Sequence, residues 1–123
     1  MTTENDHHDR ALAARGRDKI AWAERSMPAL RAIRERFTRE RPLADIRVAA
    51  CMHVTAETAA LVRTLAAGGA ALRLCASNPL STQDDVAASL AIDDGLAVFA
   101  RAGVGREGYF AHLEAALEGQ PQV

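Results

Sequence analysis

Three residues whose side chains could take part in catalysis or ligand binding are close in sequence near the middle of the chain: His53, Thr55 and Glu57. An imidazole has an ordinary pKa of about 6.5, so His53 suits acid/base catalysis near neutral pH. A hydroxyl and a carboxylate can bind the polar groups of a ligand. The same two residues also fit a structural role, with Thr55 as a helix N-cap and Glu57 favourable to the helix dipole. Spacing alone does not identify a ligand, and for Thr55 it favours the cap.

A strand and a helix must position these side chains. The apolar run Ile46–Cys51 predicts a short buried strand that ends just before His53. From Ala59 onward, apolar residues recur at helical spacing until Gly68-Gly69, which predicts the end of a helix. The three candidate residues therefore fall at a strand-to-helix junction. Ligands of open α/β sheets bind beyond the carboxyl ends of the strands, beside helix N-termini.

A second junction of the same kind follows. Ala71–Ala76 predicts another strand, and the polar loop 77–84 after it contains Pro79, which is incompatible with a central strand. Both Ser81-x-x-Asp84 and Thr82-x-x-Asp85 fit a helix-capping pattern. Two polar junctions at one edge of a sheet favour a shared pocket more than either does alone.

The remaining periodicity predicts an α/β fold: N-terminal helices, then a β-α-β-α-β-α Rossmann-like parallel sheet with right-handed crossovers. We expect residues 1–9 to form a flexible tail, residues 10–40 a helical segment, and residues 41–123 the sheet with its helices. Three strands make a thin sheet, so we expect this region to be part of a larger domain. The other predicted elements are helices at Arg10–Ser26 (capped by Asp9), Ala29–Phe37 (after Pro28), Asp84–Leu90 and Tyr109–Glu118, and a strand at Leu96–Ala100.

Length and composition restrict the class of protein. The chain has 123 residues, of which 49% are hydrophobic and 25% charged, as expected for one globular domain. A net charge of -1 without a basic stripe argues against nucleic-acid binding. No run of about 20 apolar residues and no secretory leader is present, so neither membrane insertion nor secretion is expected. Two cysteines are too few for a disulfide framework and indicate a reducing, cytoplasmic location.

Four further patterns carry weaker signals. Cys51 and His53 share a face of an extended backbone and could form a nucleophile pair, but a cysteine ending an apolar strand is more often buried and inert. His7-His8 lacks the second ligand pair that a metal site needs. Gly103–Gly108 matches G-x-G-x-x-G, yet no acidic residue follows about 20 positions later, so we interpret it as a flexible loop. The charges of 31–36, including Arg34, predict a solvated helix face.

Three ordered motifs resemble those of the S-adenosylhomocysteine hydrolase family. Gly16-Arg17-x-x-Ile20-x-x-Ala23-Glu24-x-x-Met27-Pro28-x-Leu30 is similar to its opening signature. Met52-His53-Val54-Thr55-Ala56-Glu57-Thr58-Ala59 resembles its Leu-His-Met-Thr-x-Glu-Thr-Ala segment. Ser77-Asn78-Pro79-Leu80-Ser81-Thr82-Gln83-Asp84 resembles its Asn-Pro-Leu-Ser-Thr-Gln-Asp segment. The resemblance runs from about Arg10 to the end of the chain.

This resemblance implies a particular activity. The family uses tightly bound NAD to oxidise the ribose 3′-hydroxyl of S-adenosylhomocysteine, eliminates homocysteine, adds water and reduces the ketone to give adenosine. By the matching motifs, His53 would transfer a proton near the 5′ position, Thr55 and Glu57 would recognise the adenine edge, and Ser81 would help to shape the pocket. The intact enzyme would be a homo-oligomer, a tetramer in the family.

The chain also departs from the family pattern. Met52 replaces the usual leucine, and the later substrate-domain motifs and the NAD domain lie beyond Val123. Asp93-Asp94-Gly95 resembles a catalytic Asp-Asp-Gly of the family but precedes the third strand rather than following the next one, so no role is transferred to it. Two hypotheses follow: residues 41–123 are the first half of the substrate domain of an enzyme, or the chain is a non-catalytic adenosine-binding or interaction module.

Overall fold

A computed structural model describes residues 9–123, which form an α/β fold with three parallel strands. Its elements are α1 (Arg10–Arg25), α2 (Pro28–Glu40), β1 (Arg47–Met52), α3 (Ala56–Ala67), β2 (Ala71–Ala76), α4 (Asp84–Ile92), β3 (Ala97–Phe99) and α5 (Arg106–Leu117). The predicted order of helices and strands is confirmed. His7-His8 and the tail predicted before Asp9 lie outside the described residues.

The strands pair in the order β1-β2-β3, all parallel, so the Rossmann-like prediction is confirmed. The register places Cys51 opposite Cys75. On the edge of β1 that faces away from β2, the backbone of Ala49 donates to Val123 O at 2.9 Å, and Gln122 N donates to Arg47 O at 2.8 Å. The last residues of the chain thus extend the sheet pairing beyond β1.

Helices cover both faces of the sheet. One face packs against α1, α3 and α4 in a core that includes the fully buried Ile20, Val62, Leu74 and Leu90. The other face carries Cys75 and Phe99, which pack against Ala116 and other residues of α5. Each strand therefore alternates between two apolar environments, which explains its nearly continuous apolar sequence.

Helices α1 and α4 approach each other closely at Gly16. A Cβ at Gly16 would lie only 1.8 Å from the carbonyl oxygen of Asp85, so glycine allows the two backbones to touch. Two ion pairs flank this contact: Arg17 Nη2 lies 2.9 Å from Asp93 Oδ1, and Lys19 Nζ lies 2.7 Å from Asp85 Oδ2. The Gly16-Arg17 pair of the opening signature is thereby explained by packing against α4.

Several element boundaries were predicted wrongly. α2 continues to Glu40 and ends at Arg41, whose φ of 47° is left-handed. The prediction that the charged face of α2 is solvated is also wrong for Arg34. Its guanidinium donates two hydrogen bonds to Glu24, at 2.7 and 3.2 Å. α5 begins at Arg106 rather than Tyr109, so Gly108 belongs to its first turn and not to a loop. Hydrophobic periodicity misses these ends because the last residues of α2 and the first turn of α5 are polar or glycine and carry no apolar pattern.

Candidate functional site

The imidazole of His53 is exposed immediately after β1 and has one direct partner in the next strand connection. Its Nδ1 lies 3.3 Å from Ser77 Oγ. The contact follows from the register, because Cys51 faces Cys75 and alternate residues of a strand share a face. Two residues further along each strand, the same register therefore brings His53 opposite Ser77. Sequence reasoning missed Ser77, although its spacing from Cys75 equals that of His53 from Cys51.

Sheet-like hydrogen bonds hold the two junctions together beyond the strand ends. Val54 N donates to Ser81 O at 2.9 Å, and Gln83 N donates to Val54 O at 3.0 Å. These bonds form a parallel bridge between Val54 and Thr82. The two polar junctions are therefore brought to the same edge of the sheet, which the sequence predicted.

The loop between β2 and α4 is stabilised by its own polar groups. Leu80 N donates to Asn78 Oδ1 at 2.8 Å, and Ser81 Oγ donates to Asn78 O at 3.2 Å. Ser81 is half-buried, and its hydroxyl proton is used within the loop. The oxygen of that hydroxyl can still accept a hydrogen bond, so Ser81 is suited to shape a pocket wall.

Thr55 is the N-cap of α3, as predicted. Its Oγ1 accepts from Thr58 N at 3.4 Å, and its backbone is extended. Glu57 lies in the first turn of α3, with its side chain exposed. The carboxylate therefore lies near the positive end of the helix dipole and remains available to a ligand.

Glu57 lines an open depression of about 380 Å³ between α1 and the start of α3. A cation and an indole from α1, Lys19 and Trp22, lie on its wall, and Gln83 contributes an amide. Neither His53 nor Ser81 is among the residues that line it. The depression offers a planar apolar surface with polar donors and acceptors, a combination that suits an aromatic ring with polar edges. Its lining residues are Asp18, Lys19, Trp22, Ala23, Ala56, Glu57 and Gln83.

The predicted capping of α4 by Ser81 or Thr82 is wrong. The N-cap is Gln83, which makes no side-chain capping bond. Asp84 Oδ1 accepts from Ala102 N at 2.8 Å instead, and Asp85 Oδ1 accepts from Val86 N at 2.8 Å. The two carboxylates are thus used to hold a neighbouring loop and the start of α4.

Two polar groups beside the α4 N-terminus are buried. Burial alone would raise the pKa of Asp85, but hydrogen bonds from Lys19 and from Val86 N outweigh this effect and lower it. Thr82 Oγ1 is buried and has no hydrogen-bond partner within residues 9–123. A buried hydroxyl without a partner costs roughly 1–3 kcal/mol, so a hydrogen-bonding group that reached Thr82 Oγ1 would be stabilised there.

Asp93 and Asp94, the pair that superficially resembles a catalytic motif, are engaged in ion pairs. Arg17 donates two hydrogen bonds to Asp93, and Arg63 Nε lies 2.7 Å from Asp94 Oδ2. The hydrogen bond from Arg17, together with one from Ser89, lowers the pKa of Asp93. Both carboxylates therefore fasten α4 to α1 and α3.

The segment 103–108 does not fit an NAD site. Gly103 has a φ of 75°, but a Cβ at Gly103 or Gly105 would meet nothing within 4 Å. A dinucleotide fingerprint uses its glycines for close backbone and helix–strand approach, and these two glycines provide none. A Cβ at Gly108 would meet only the side chain of Val104, four residues earlier in the chain.

Neither a metal-binding cluster nor a membrane-spanning helix occurs between Asp9 and Val123. No cluster of three or more histidine, cysteine or acidic side chains in this part of the chain could hold a metal ion. None of its helices has the length and apolar character needed to cross a bilayer.

Comparison with known proteins identifies the family. The family model described as S-adenosyl-L-homocysteine hydrolase matches residues 5–123. An adenosylhomocysteinase of Gloeobacter violaceus is 56% identical over 112 residues, which cover 91% of this chain and 26% of the relative. An adenosylhomocysteinase of Aquifex aeolicus is 54% identical over 120 residues, covering 98% of this chain and 29% of the relative. The chain thus spans between a quarter and a third of these relatives and belongs to the S-adenosyl-L-homocysteine hydrolase family.

Proposed function

We propose that this chain forms part of the substrate-binding region of an enzyme that reversibly hydrolyses S-adenosyl-L-homocysteine to adenosine and L-homocysteine. The observation that carries the proposal is the exposed imidazole of His53 at the carboxyl end of β1, held by Ser77. Membership of the family and the relatives' name, adenosylhomocysteinase, support it.

His53 is the proposed acid/base residue. A neutral imidazole can donate from one ring nitrogen and accept at the other, so the partner of Nδ1 determines the state of Nε2. If Ser77 donates to Nδ1, then Nε2 carries the proton and can deliver it to a leaving group. If Nδ1 donates to Ser77, then Nε2 can accept a proton from a nucleophile. Proton transfer at the 5′ position of the nucleoside needs both directions in a reversible reaction.

Thr55, Glu57 and Ser81 are the proposed substrate-binding residues. The exposed carboxylate of Glu57 can accept from the exocyclic amine of adenine, and the hydroxyl of Thr55 lies two residues away on the same helix start. The loop that carries Ser81 is bonded to Val54, so it would form a fixed wall beside the strand end that carries His53. The NAD that the family resemblance implies would not be held by the segment 103–108. We further propose that the intact enzyme is a homo-oligomer and that it is located in the cytoplasm.

The experiment compares His53→Ala with Glu57→Ala in a full-length enzyme that carries these residues. His53→Ala should lower kcat by about 10²–10⁴-fold, because acid/base catalysis acts mainly in the transition state. Glu57→Ala should chiefly raise KM, since an adenine contact is equally present in the ground and transition states. Loss of a charged hydrogen bond, roughly 1.5–3 kcal/mol, corresponds to a rise in KM of about 10–150-fold.

Melting temperature must be measured for both variants, because a lost fold also lowers activity. An unchanged kcat in a destabilised His53→Ala enzyme would assign the histidine a structural role and refute the proposal. The alternative function, a non-catalytic adenosine-binding module, would be supported if the chain bound adenosine while no full-length form released homocysteine.

A further inference from the structure

Cys51 and Cys75 lie directly opposite each other on neighbouring strands. They are register partners in the parallel pair β1–β2. Neighbouring strands are about 4.8 Å apart, which is within the Cα separation of about 4.4–6.8 Å that a disulfide requires. The two side chains leave the sheet on the same face, toward α5, because register partners in a sheet point the same way.

The two thiols differ in exposure. Cys51 is exposed, and its Sγ lies 3.6 Å from the carbonyl oxygen of Ala76. Cys75 is buried in a cluster with Phe99 and Ala116. Burial, together with smaller contributions from the charge and the hydrogen bond of Cys51, raises the pKa of the Cys75 thiol to about 12. An oxidant therefore reaches Cys51 first and finds Cys75 protonated behind it.

We propose that Cys51 and Cys75 are a redox modification site that forms a reversible disulfide when the protein meets a peroxide. The Cys51 thiolate attacks one oxygen of hydrogen peroxide, the O–O bond breaks, and Cys51 becomes a sulfenic acid while hydroxide leaves. The sulfur of Cys75 then attacks that of Cys51, the S–O bond breaks, and the departing hydroxide takes up the proton of Cys75. In sum, two thiols and one peroxide give one disulfide and two waters, and the cysteines lose two electrons.

The bond should be easily reduced. The Cβ atoms of a relaxed disulfide are about 3.8 Å apart, which is closer than the spacing of two parallel strands. Closing that gap strains the sheet, and strained disulfides are the labile, regulatory ones. A short-lived disulfide of this kind is compatible with a reducing cytoplasm.

The disulfide would also alter the candidate site. His53 and Ser77 lie two residues beyond Cys51 and Cys75 on the two strands, on the same face. Drawing the strands together at the cysteines changes the separation of His53 Nδ1 and Ser77 Oγ. The predicted change affects only the geometry around His53. The proposal that a disulfide forms is therefore independent of the proposed enzymatic function.

The test treats the reduced, folded chain with hydrogen peroxide and follows its intact mass. The expected product is a monomer 2 Da lighter, with a tryptic link between Cys51 and Cys75 that dithiothreitol removes. Circular dichroism during the reaction checks that the fold is retained. A link that appears only after denaturant is added would overturn the proposal. So would a folded chain that yields only oxyacids of Cys51 or dimers joined through Cys51.

Two variants separate the roles of the thiols. Cys75→Ala should stop at the sulfenic acid of Cys51, which dimedone traps. Cys51→Ser changes an exposed residue, so it should fold, and it should leave Cys75 unreactive toward peroxide. Rapid oxidation of Cys75 in the Cys51→Ser variant would contradict the proposed order of attack. In the wild type, oxidation should shift the ring resonances of His53, and unchanged resonances would refute the coupling to the site.

Discussion

Replacing Gly16 with alanine should destabilise the protein, although the same change stabilises most helices. In an ordinary helix interior, replacing glycine with alanine raises the free energy of unfolding by about 0.5–1 kcal/mol. At Gly16, however, the new Cβ would lie 1.8 Å from Asp85 O and 2.4 Å from Asp85 C. An unstrained contact needs more than about 3.3 Å, so α1 and α4 would have to separate by about 1.5 Å.

The separation should cost more than the helix gains. Overpacking a core usually costs about 1–3 kcal/mol, and here the obstacle is backbone, which cannot change rotamer. Moving α1 would also stretch the ion pairs of Arg17 and Lys19 with α4. We therefore expect Gly16→Ala to lower the free energy of unfolding by about 2 kcal/mol.

Urea denaturation measures this effect as a lower midpoint at an unchanged m-value. Gly105→Ala is the matched control, because a Cβ there meets nothing within 4 Å and should change stability by less than about 1 kcal/mol. If Gly16→Ala proved as stable as the wild type, the close contact of α1 with α4 would be refuted.

The remaining predictions concern polar groups. Asp85→Asn should cost about 1.5–3 kcal/mol in urea denaturation, because the buried carboxylate loses its charged hydrogen bond from Lys19; an unchanged midpoint would contradict this. The pKa values of Asp85 and Asp93 are lowered in the fold, so their stabilisation is present above about pH 4 and is lost as pH falls through the lowered values. Asp93→Asn should therefore flatten the acid limb of a pH–stability curve. Thr55→Ala should cost about 1 kcal/mol and Thr55→Ser much less, since only a hydroxyl caps α3.

Local sequence patterns predicted the elements that build the candidate edge. The bounds of β2, Ala71–Ala76, follow from its apolar run, and Thr55 was identified as a cap from its place before a helical pattern. Both predictions succeed because a strand's apolar run and a helix cap are determined by residues that are close in sequence. The site residues His53 and Ser81 were likewise expected at one edge, because carboxyl ends of parallel strands coincide.

Long-range partners could not be predicted in the same way. The contact of His53 with Ser77 depends on the register of β1 and β2. Hydrophobic periodicity predicts which face of a strand is buried, but it does not determine which residues of two neighbouring strands lie opposite each other. The capping of α4 was misassigned because Asp84 and Asp85 bond to Ala102 and Lys19, groups distant in sequence. Tertiary contacts thus replaced the local cap.

The pairing of Gln122 and Val123 along β1 has a consequence for the candidate site. β2 lies on one edge of β1 and these two residues on the other, while α5, which connects them to β3, covers the sheet face opposite α3 and α4. The winding of the sheet therefore reverses at β1. At such a reversal, neighbouring connections leave toward opposite faces and open a crevice at the carboxyl ends of the strands. His53, the first residue after β1, lies at the carboxyl end of the strand where the winding reverses, and this is the position at which we expect a ligand to bind.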